Sequence, residues 1–245
     1  MRCIRPLVFS VAGGMLSLAV LASCSNSDNT SNDSEREIEI NDRTLPFFQK
    51  PFQGRFVNNA PFDHDLPLAF SEASNDYILA WWGGHIHGVW NGHNGHDWGM
   101  YEGTPLLAVA DGEVVFAGLE PPRPCGTLGD KSALIVRLWH IAPNGEEFES
   151  LYVHLSRVDV EQGEMVRAGQ QIGLSGLTGC TNGPHLHFGV LRLTHTNNGQ
   201  PVPIDPFGWQ GDGPDPWAKR PDGAQSLWLW KQSQAPDGGE LLFKK

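Results

Sequence analysis

The clearest alternation of hydrophobic and polar positions lies in residues 185–193, which read HLHFGVLRL. Side chains two positions apart on a β-strand point to the same face of its sheet. On such a strand His185 and His187 would project together, while Leu186 and Phe188 would pack behind them. The pattern therefore predicts a strand with two imidazole rings on one face, which is a good starting point for a metal site.

Similar short segments, separated by turn residues, occur along much of the chain. We find no internal repeat and no long amphipathic helix, and the 29 glycines and 18 prolines favour turns and short strands. We predict an all-β fold in which antiparallel sheets form a groove, with an irregular N-terminal extension. The other predicted strands are residues 106–110, 113–117, 132–140, 148–155 and 226–230, with several short strands across 158–173.

The first 23 residues are predicted to be a lipoprotein signal peptide and not part of the fold. Arg2 and Arg5 form a basic start, and residues 7–20 form an apolar stretch too short to span a bilayer comfortably. Residues 21–24 resemble a bacterial lipobox, in which Cys24 becomes the lipid-bearing N-terminus. An ordinary secretory signal and a short anchor helix are the alternatives.

This signal predicts an exported protein whose contact with the membrane is the lipid anchor alone. We expect it at the outer membrane, facing the periplasm, in a Gram-negative cell, and at the cell surface otherwise. Residues 24–37 are rich in Ser, Asn and Asp and are predicted to be a disordered tether.

Residues 38–87 and 210–245 flank the central part of the chain. The first segment has recurring Pro-Phe pairs and is predicted to be an irregular extension packed on the main domain, and the second to be a tail that contains a late strand. His64 lies between two aspartates, and we interpret it as part of a surface turn in preference to a metal ligand. The extension would either occlude the groove or shape substrate choice.

The net charge bears on the class of partner, and the cysteine content bears on disulfide formation. The formal net charge is −11, and it becomes −13 without residues 1–23, so a nucleic-acid partner is not expected.

Cys3 belongs to the signal and Cys24 to the lipid site, which leaves Cys125 and Cys180. In an exported, oxidising setting a disulfide is the default for this pair, with thiolate zinc ligands as the alternative.

Further candidate ligands lie in residues 81–97, a Gly- and His-rich segment without a regular period that is predicted to be a loop. His93 and Asp97 enclose an Asn-Gly pair that disfavours a helix, so a loop or an early strand must bring them together. With His187 they would supply two nitrogens and one oxygen and leave a fourth position for water, as in a catalytic zinc site. Zinc is the predicted ion, since Mg²⁺ and Ca²⁺ prefer more oxygens.

Three longer runs resemble a known family. They are HNGHDWGMYEGTPLLAVADGEVVFAG from His93, LYVHLSRVDVEQGEMVRAGQQIG from Leu151 and SGLTGCTNGPHLHFGV from Ser175. These runs are similar to the lysostaphin/LytM-type zinc metallo-endopeptidases, which cut peptide bonds in bacterial cell-wall peptidoglycan. The resemblance spans residues 88–209, which we expect to form the peptidase domain.

The resemblance implies roles for five side chains. His93, Asp97 and His187 would bind one zinc ion per chain, and His154 and His185 would be the catalytic pair. Which of these two histidines is the base stays open. The expected reaction is hydrolysis of peptidoglycan stem peptides or cross-bridges by a water that the metal activates.

Two other functions are compatible with parts of the sequence. A catalytically silent LytM-like regulator that activates a cell-wall amidase is the main alternative, although all five site residues are present. The glycine rhythm of residues 158–173 also resembles a biotinyl or lipoyl carrier, but no lysine occurs between 132 and 218 to carry the group.

Several aromatic and histidine residues of the Gly-rich loop have no motif counterpart. The loop histidines are expected to be ordinary loop residues in preference to inhibitory ligands, and His96 should point away from Asp97. The tryptophans would either contact substrate or pack the loop. These residues are His85, His87, Trp81, Trp82, Trp90 and Trp98.

Overall fold

The computed structural model describes residues 45–66, 77–87, 92–197 and 200–244. All of them belong to one unit of the chain, Ile38–Lys245. The predicted signal peptide, the tether and the lipid site at Cys24 lie outside the described residues. Within the described part of the chain, no helix is both long enough and apolar enough to cross a membrane.

The described residues form mainly β-structure. Helical structure within them is limited to short turns at Gly126–Leu128 and Trp217–Lys219 and to helix α1, Glu240–Phe243. The strands are β1 (Asn58–Ala60), β2 (Tyr77–Leu79), β3 (His85–His87), β4 (His96–Gly99), β5 (Pro105–Leu107), β6 (Gly112–Leu119), β7 (Arg123–Pro124), β8 (Asp130–Lys131), β9 (Leu134–Ile141), β10 (Glu147–Val153), β11 (Leu155–Val158), β12 (Met165–Val166), β13 (Gln171–Ser175), β14 (His185–Asn197) and β15 (Gln200–Pro203).

An eight-stranded sheet carries the architecture. Its order is β1-β4-β14-β10-β9-β6-β12, and β15 also pairs with β14. A second sheet has the order β11-β13-β5, and β2-β3 and β7-β8 are two-stranded. Neighbouring strands are antiparallel throughout these described sheets. The prediction of an all-β fold built from antiparallel sheets is therefore confirmed.

Strand β14 follows the alternation seen in the sequence. Leu186, Phe188 and Val190 are fully buried, whereas His185 and His187 lie on the opposite, partly exposed face. Burying one such apolar side chain stabilises the fold by roughly 1.5–3 kcal/mol. The hydrophobic half of the pattern thus fixes which face of the sheet carries the imidazole rings.

Two predictions about local structure were wrong. Residues 226–230 do not form a strand, and only isolated bridges occur there, from Trp228 to Phe207 and from Trp230 to Phe48. Residues 81–97 are not entirely loop, because β3 pairs with β2 and places Ile86 beside the buried Ile78. Burial of these two apolar side chains outweighs the glycine content of the segment.

The segment before the Gly-rich region is part of the hydrophobic core. Phe48, Phe52 and Phe62 are buried in the same cluster as Phe188. Strand β1 adds to the edge of the main sheet by pairing with β4. Residues 45–66 therefore pack directly behind the strand that carries Asp97.

Candidate metal centre

Strand pairing brings two of the predicted ligands together. In the antiparallel pair β4–β14, Asp97 lies directly opposite His187, and His96 lies opposite Phe188. Because side chains alternate along a strand, Asp97 and His187 share one face while His96 and Phe188 point into the core. The expectation that His96 points away from Asp97 is confirmed.

The third predicted ligand, His93, joins this pair. Its Nε2 lies 3.2 Å from Asp97 Oδ1 and 3.1 Å from His187 Nδ1, and that Nδ1 is 2.9 Å from Asp97 Oδ1. Two ligands of a tetrahedral zinc ion, each about 2.0–2.1 Å from the metal, are about 3.3 Å apart. The three atoms therefore form one triangular face of the size a single zinc ion needs.

Hydrogen bonding fixes the tautomer of His93. Its Nδ1–H donates to the Pro61 carbonyl at 2.9 Å, so loss of the Nε2 proton, which metal binding requires, leaves the Nε2 lone pair facing the other two predicted ligands. A hydrogen bond from the ring nitrogen that does not bind the metal orients the ring and strengthens the histidine as a metal ligand. The geometry of the donor set fits a metal ion without rearrangement.

Gly95 allows the close approach of this loop to β14. A Cβ at this position would lie 2.6 Å from the Phe188 carbonyl oxygen and 2.8 Å from Cε1 of His187. Real contacts are essentially never this short, so any side chain here would displace the strand or the imidazole. The Asn-Gly pair inside the His-x-x-x-Asp motif thus has a packing role.

The electrostatic balance keeps the carboxylate charged. Burial alone would raise the pKa of Asp97, but the neighbouring charge of His93 and hydrogen bonds from His187 and His93 outweigh it. The pKa of Asp97 therefore lies well below its usual value. Asp97 is therefore anionic at neutral pH, the form in which a carboxylate can bind a metal ion.

His154 and His185 stand beside the three ligands. Their ring centroids are 4.6 Å apart, and the rings of His154 and His187 are 6.2 Å apart. The Nε2 of His185 is 3.7 Å from Asp97 Oδ1. All five side chains singled out from the sequence are thus gathered at one place.

Each of these two histidines donates its Nδ1–H to a main-chain carbonyl. His154 Nδ1 is 2.6 Å from the Thr178 oxygen, and His185 Nδ1 is 2.9 Å from the Gly183 oxygen. Thr181 Oγ lies 3.1 Å from the same nitrogen of His185. Burial lowers the pKa of His154 to about 4, because the effect of burial is larger than the opposing effect of the Thr178 carbonyl. The neutral His154 ring therefore carries its lone pair on Nε2.

His154 has an unusual backbone conformation. Its φ is +69°, a value that non-glycine residues rarely adopt. Such conformations cluster at functional sites, where the surrounding structure maintains them. Here the conformation occurs between β10 and β11, at the point where the chain leaves the main sheet.

The loop that supplies these acceptors is covalently tied to another part of the chain. Cys180 forms a disulfide with Cys125, with the two Cα atoms 5.4 Å apart. The expected pairing is present, and the alternative of thiolate ligands is contradicted because the sulfur atoms bond each other. Closing a loop of this length stabilises the fold by roughly 4 kcal/mol on the chain-entropy model.

The interpretation of His64 as part of a surface turn was wrong. The residue is fully buried, with Nδ1 2.8 Å from Asp215 and Nε2 3.1 Å from Asp205. Burial alone would lower the pKa of His64, but the opposing effect of the two carboxylates is larger, and the pKa rises to about 9. His96 also donates to Asp205, at 2.9 Å, from the core side of β4.

Sequence reasoning missed this network because its members are distant along the chain. Asp205 is 141 residues from His64, and Asp215 is 151 residues away. Nothing in the local pattern links the three. The main-chain acceptors at Pro61 and Thr178 were also missed, since any residue type supplies a carbonyl.

The other described residues of the loop do not join the ligand cluster. Trp81 and Trp98 are buried, which favours packing over substrate contact for these two. His85 and His87 are exposed on β3, with their rings 4.3 and 5.7 Å from that of Tyr77. Trp90 lies outside the described residues.

Comparisons with known proteins match the part of the chain that carries these side chains. Residues 91–206 match Peptidase family M23. Glycyl-glycine endopeptidase ALE-1 of Staphylococcus capitis is 36% identical over 115 residues, covering 47% of this chain and 28% of that protein. Peptidoglycan DD-endopeptidase ShyA of Vibrio cholerae serotype O1 is 35% identical over 99 residues, covering 40% of this chain and 20% of that protein.

Among solved structures, the catalytic domain of lysostaphin from Staphylococcus simulans is 30% identical, with a TM-score of 0.40, and the match covers 62% of this chain and 90% of that one. The matches to the two curated relatives span only 28% and 20% of their lengths. Three convergent side chains that could hold a metal ion, beside two histidines, suit a metal-dependent hydrolase. The chain carries a domain of peptidase family M23 over residues 91–206.

Proposed function

We propose that this protein is a zinc-dependent endopeptidase that hydrolyses peptide bonds in peptidoglycan stem peptides or cross-bridges. The observation that carries the proposal is the triangle of His93 Nε2, Asp97 Oδ1 and His187 Nδ1, with sides of 2.9–3.2 Å. The relatives named as glycyl-glycine and DD-endopeptidases support peptidoglycan as the substrate.

His93, Asp97 and His187 would hold the metal, and when bound a zinc ion supplies a Lewis acid that polarises a carbonyl and acidifies water to a pKa of about 7. His154 and His185 divide the proton transfers and the stabilisation of the developing oxyanion. Both donate Nδ1–H to a carbonyl, so the Nε2 atom of each is available to the reacting groups.

The proposal extends to the whole chain. Residues 1–23 act as a lipoprotein signal peptide, residues 24–37 as a tether from Cys24, and residues 88–209 as the peptidase domain. The protein is exported, with a lipid anchor as its contact with the membrane and peptidoglycan as its partner. Action on cell-wall peptidoglycan agrees with a periplasmic or surface location, since the substrate lies outside the cytoplasmic membrane.

Digestion of purified sacculi tests the function. We expect the protein to release peptide-cleaved fragments, detected by mass spectrometry, and to lose this activity when a chelator removes the metal. The His187→Ala variant should lose both bound metal and turnover, because it removes one of three ligands. A protein that binds no metal, or that releases nothing at any metal concentration, would instead be a silent regulator.

A further inference from the structure

The metal ligand His93 is held by a segment that precedes the family domain. Residues 61–63 run alongside residues 92–93 and exchange three hydrogen bonds with them. The Pro61 carbonyl accepts from His93 Nδ1 at 2.9 Å, and Asp63 N donates to the His93 carbonyl at 2.8 Å. The Asp63 carboxylate accepts from the Gly92 N–H at 2.9 Å.

This contact matters because His93 is not on a strand. Asp97 and His187 face each other through the register of β4 and β14, but His93 lies ahead of β4. Its main chain and its imidazole are both held by residues 61–63. A metal ligand that lacks a sheet partner needs another source of rigidity.

Asp63 is itself firmly placed. It is fully buried, and its Oδ1 accepts from the Leu79 N–H at 2.9 Å and from the Asp65 N–H at 3.0 Å, leaving Oδ2 for Gly92. The next residue, His64, is held between the buried Asp205 and Asp215. The Asp63 carboxylate therefore joins β2 to the loop that carries His93, and the neighbouring His64 anchors this segment in the core.

We propose that Asp63 is a positioning residue for the metal centre, acting through the Gly92–His93 peptide to hold the His93 imidazole in place. This inference rests on the proposed metal site. It assigns part of the centre to a residue outside the 91–206 match. Partners that orient metal ligands in this way typically change metal affinity about 10–100-fold when altered.

The Asp63→Asn variant isolates the contact. Its carbonyl oxygen can keep the bonds to Leu79 and Asp65, but its amide would oppose the Gly92 N–H with a donor. Metal-free protein is titrated with Zn²⁺ against a competing chelator, and with Co²⁺ to record the visible spectrum. We expect Zn²⁺ affinity to fall about 10–100-fold and the Co²⁺ bands to shift, because the ligand geometry changes.

Asp63→Ser provides a second test without an opposed donor, and the same direction of change is expected. Glu146→Gln is the matched control. Glu146 is also a fully buried carboxylate, and its ion pair is with Arg192. Chemical unfolding of the metal-free samples reports how much stability each variant loses.

The results separate a positioning role from a general loss of stability. Weaker binding with a changed Co²⁺ spectrum in the Asp63 variants, and wild-type binding in Glu146→Gln, supports the proposal. Wild-type affinity in the Asp63 variants overturns it. Affinity that falls equally in Glu146→Gln also overturns it, because the loss would then follow stability alone. A wild-type protein that binds no metal overturns the proposed function as well.

Discussion

The buried charge on His64 predicts an unusual loss of stability at alkaline pH. Its pKa is raised from 6.5 to about 9 in the folded protein, because Asp205 and Asp215 stabilise the imidazolium more than burial destabilises it. A group whose pKa rises on folding contributes stability that is complete below its unfolded pKa. That contribution is lost as the pH rises through the folded pKa.

The size of the effect follows from the shift. Each pKa unit corresponds to about 1.4 kcal/mol, so the imidazolium contributes up to about 3 kcal/mol at pH 6. Between pH 7 and 9 the free energy of unfolding should fall by about 1 kcal/mol per pH unit on average, because the unfolded chain releases the proton at a lower pH than the folded protein does. Most of the contribution should be absent above pH 9.5.

Urea unfolding from pH 6 to pH 10 measures this dependence. The His64→Gln variant cannot carry the charge, so it should be less stable than wild type at pH 6, and the difference should narrow as the pH rises. Direct NMR titration of the His64 ring supplies an independent value. A wild-type stability that stays flat between pH 7 and 9, or parallel slopes in both proteins, would refute this account of the buried pair.

Other predictions concern zinc affinity, the rate of sacculus digestion and the free energy of unfolding at acid pH. Gly95→Ala should weaken zinc affinity at least tenfold by displacing His187, measured by chelator competition, whereas Gly189→Ala should not, because its nearest neighbour is 3.7 Å from the added Cβ. His154→Ala should keep the zinc and lower the rate of sacculus digestion about 10²–10⁴-fold. Because burial lowers the pKa of His140 to about 4, the free energy of unfolding should fall by up to about 3 kcal/mol as the pH falls from 6.5 to 4. In urea unfolding of His140→Gln, the free energy of unfolding should therefore fall less steeply over the same pH range.

Local patterns predicted the parts of the fold and the site that depend on neighbouring residues. The alternation around His187 identified a strand and its polar face, since side-chain direction on a strand repeats every two residues. The His-x-x-x-Asp spacing identified His93 and Asp97, and the Asn-Gly pair between them excluded a helix. The structure places Asp97 and His187 on one face because β4 and β14 pair in register.

Long-range packing could not be predicted in the same way. The local sequence around His64 favours a surface turn, yet the partners of His64 come from the far end of the chain. The strand predicted at 226–230 does not form. Trp230 is buried by packing against other aromatic rings, and its segment makes only isolated bridges. In both cases tertiary contacts outweigh the local preference.

X-ray absorption at the zinc edge of the purified protein tests the central claim most directly. The account predicts about one zinc ion per chain, surrounded by nitrogen and oxygen atoms at about 2.0–2.1 Å, with imidazole scattering from two histidines and no sulfur at about 2.3 Å. Asp97→Asn should reduce the zinc content, because it removes the anionic ligand. A sulfur contribution, or a folded protein that holds no zinc when zinc is supplied, would contradict the account.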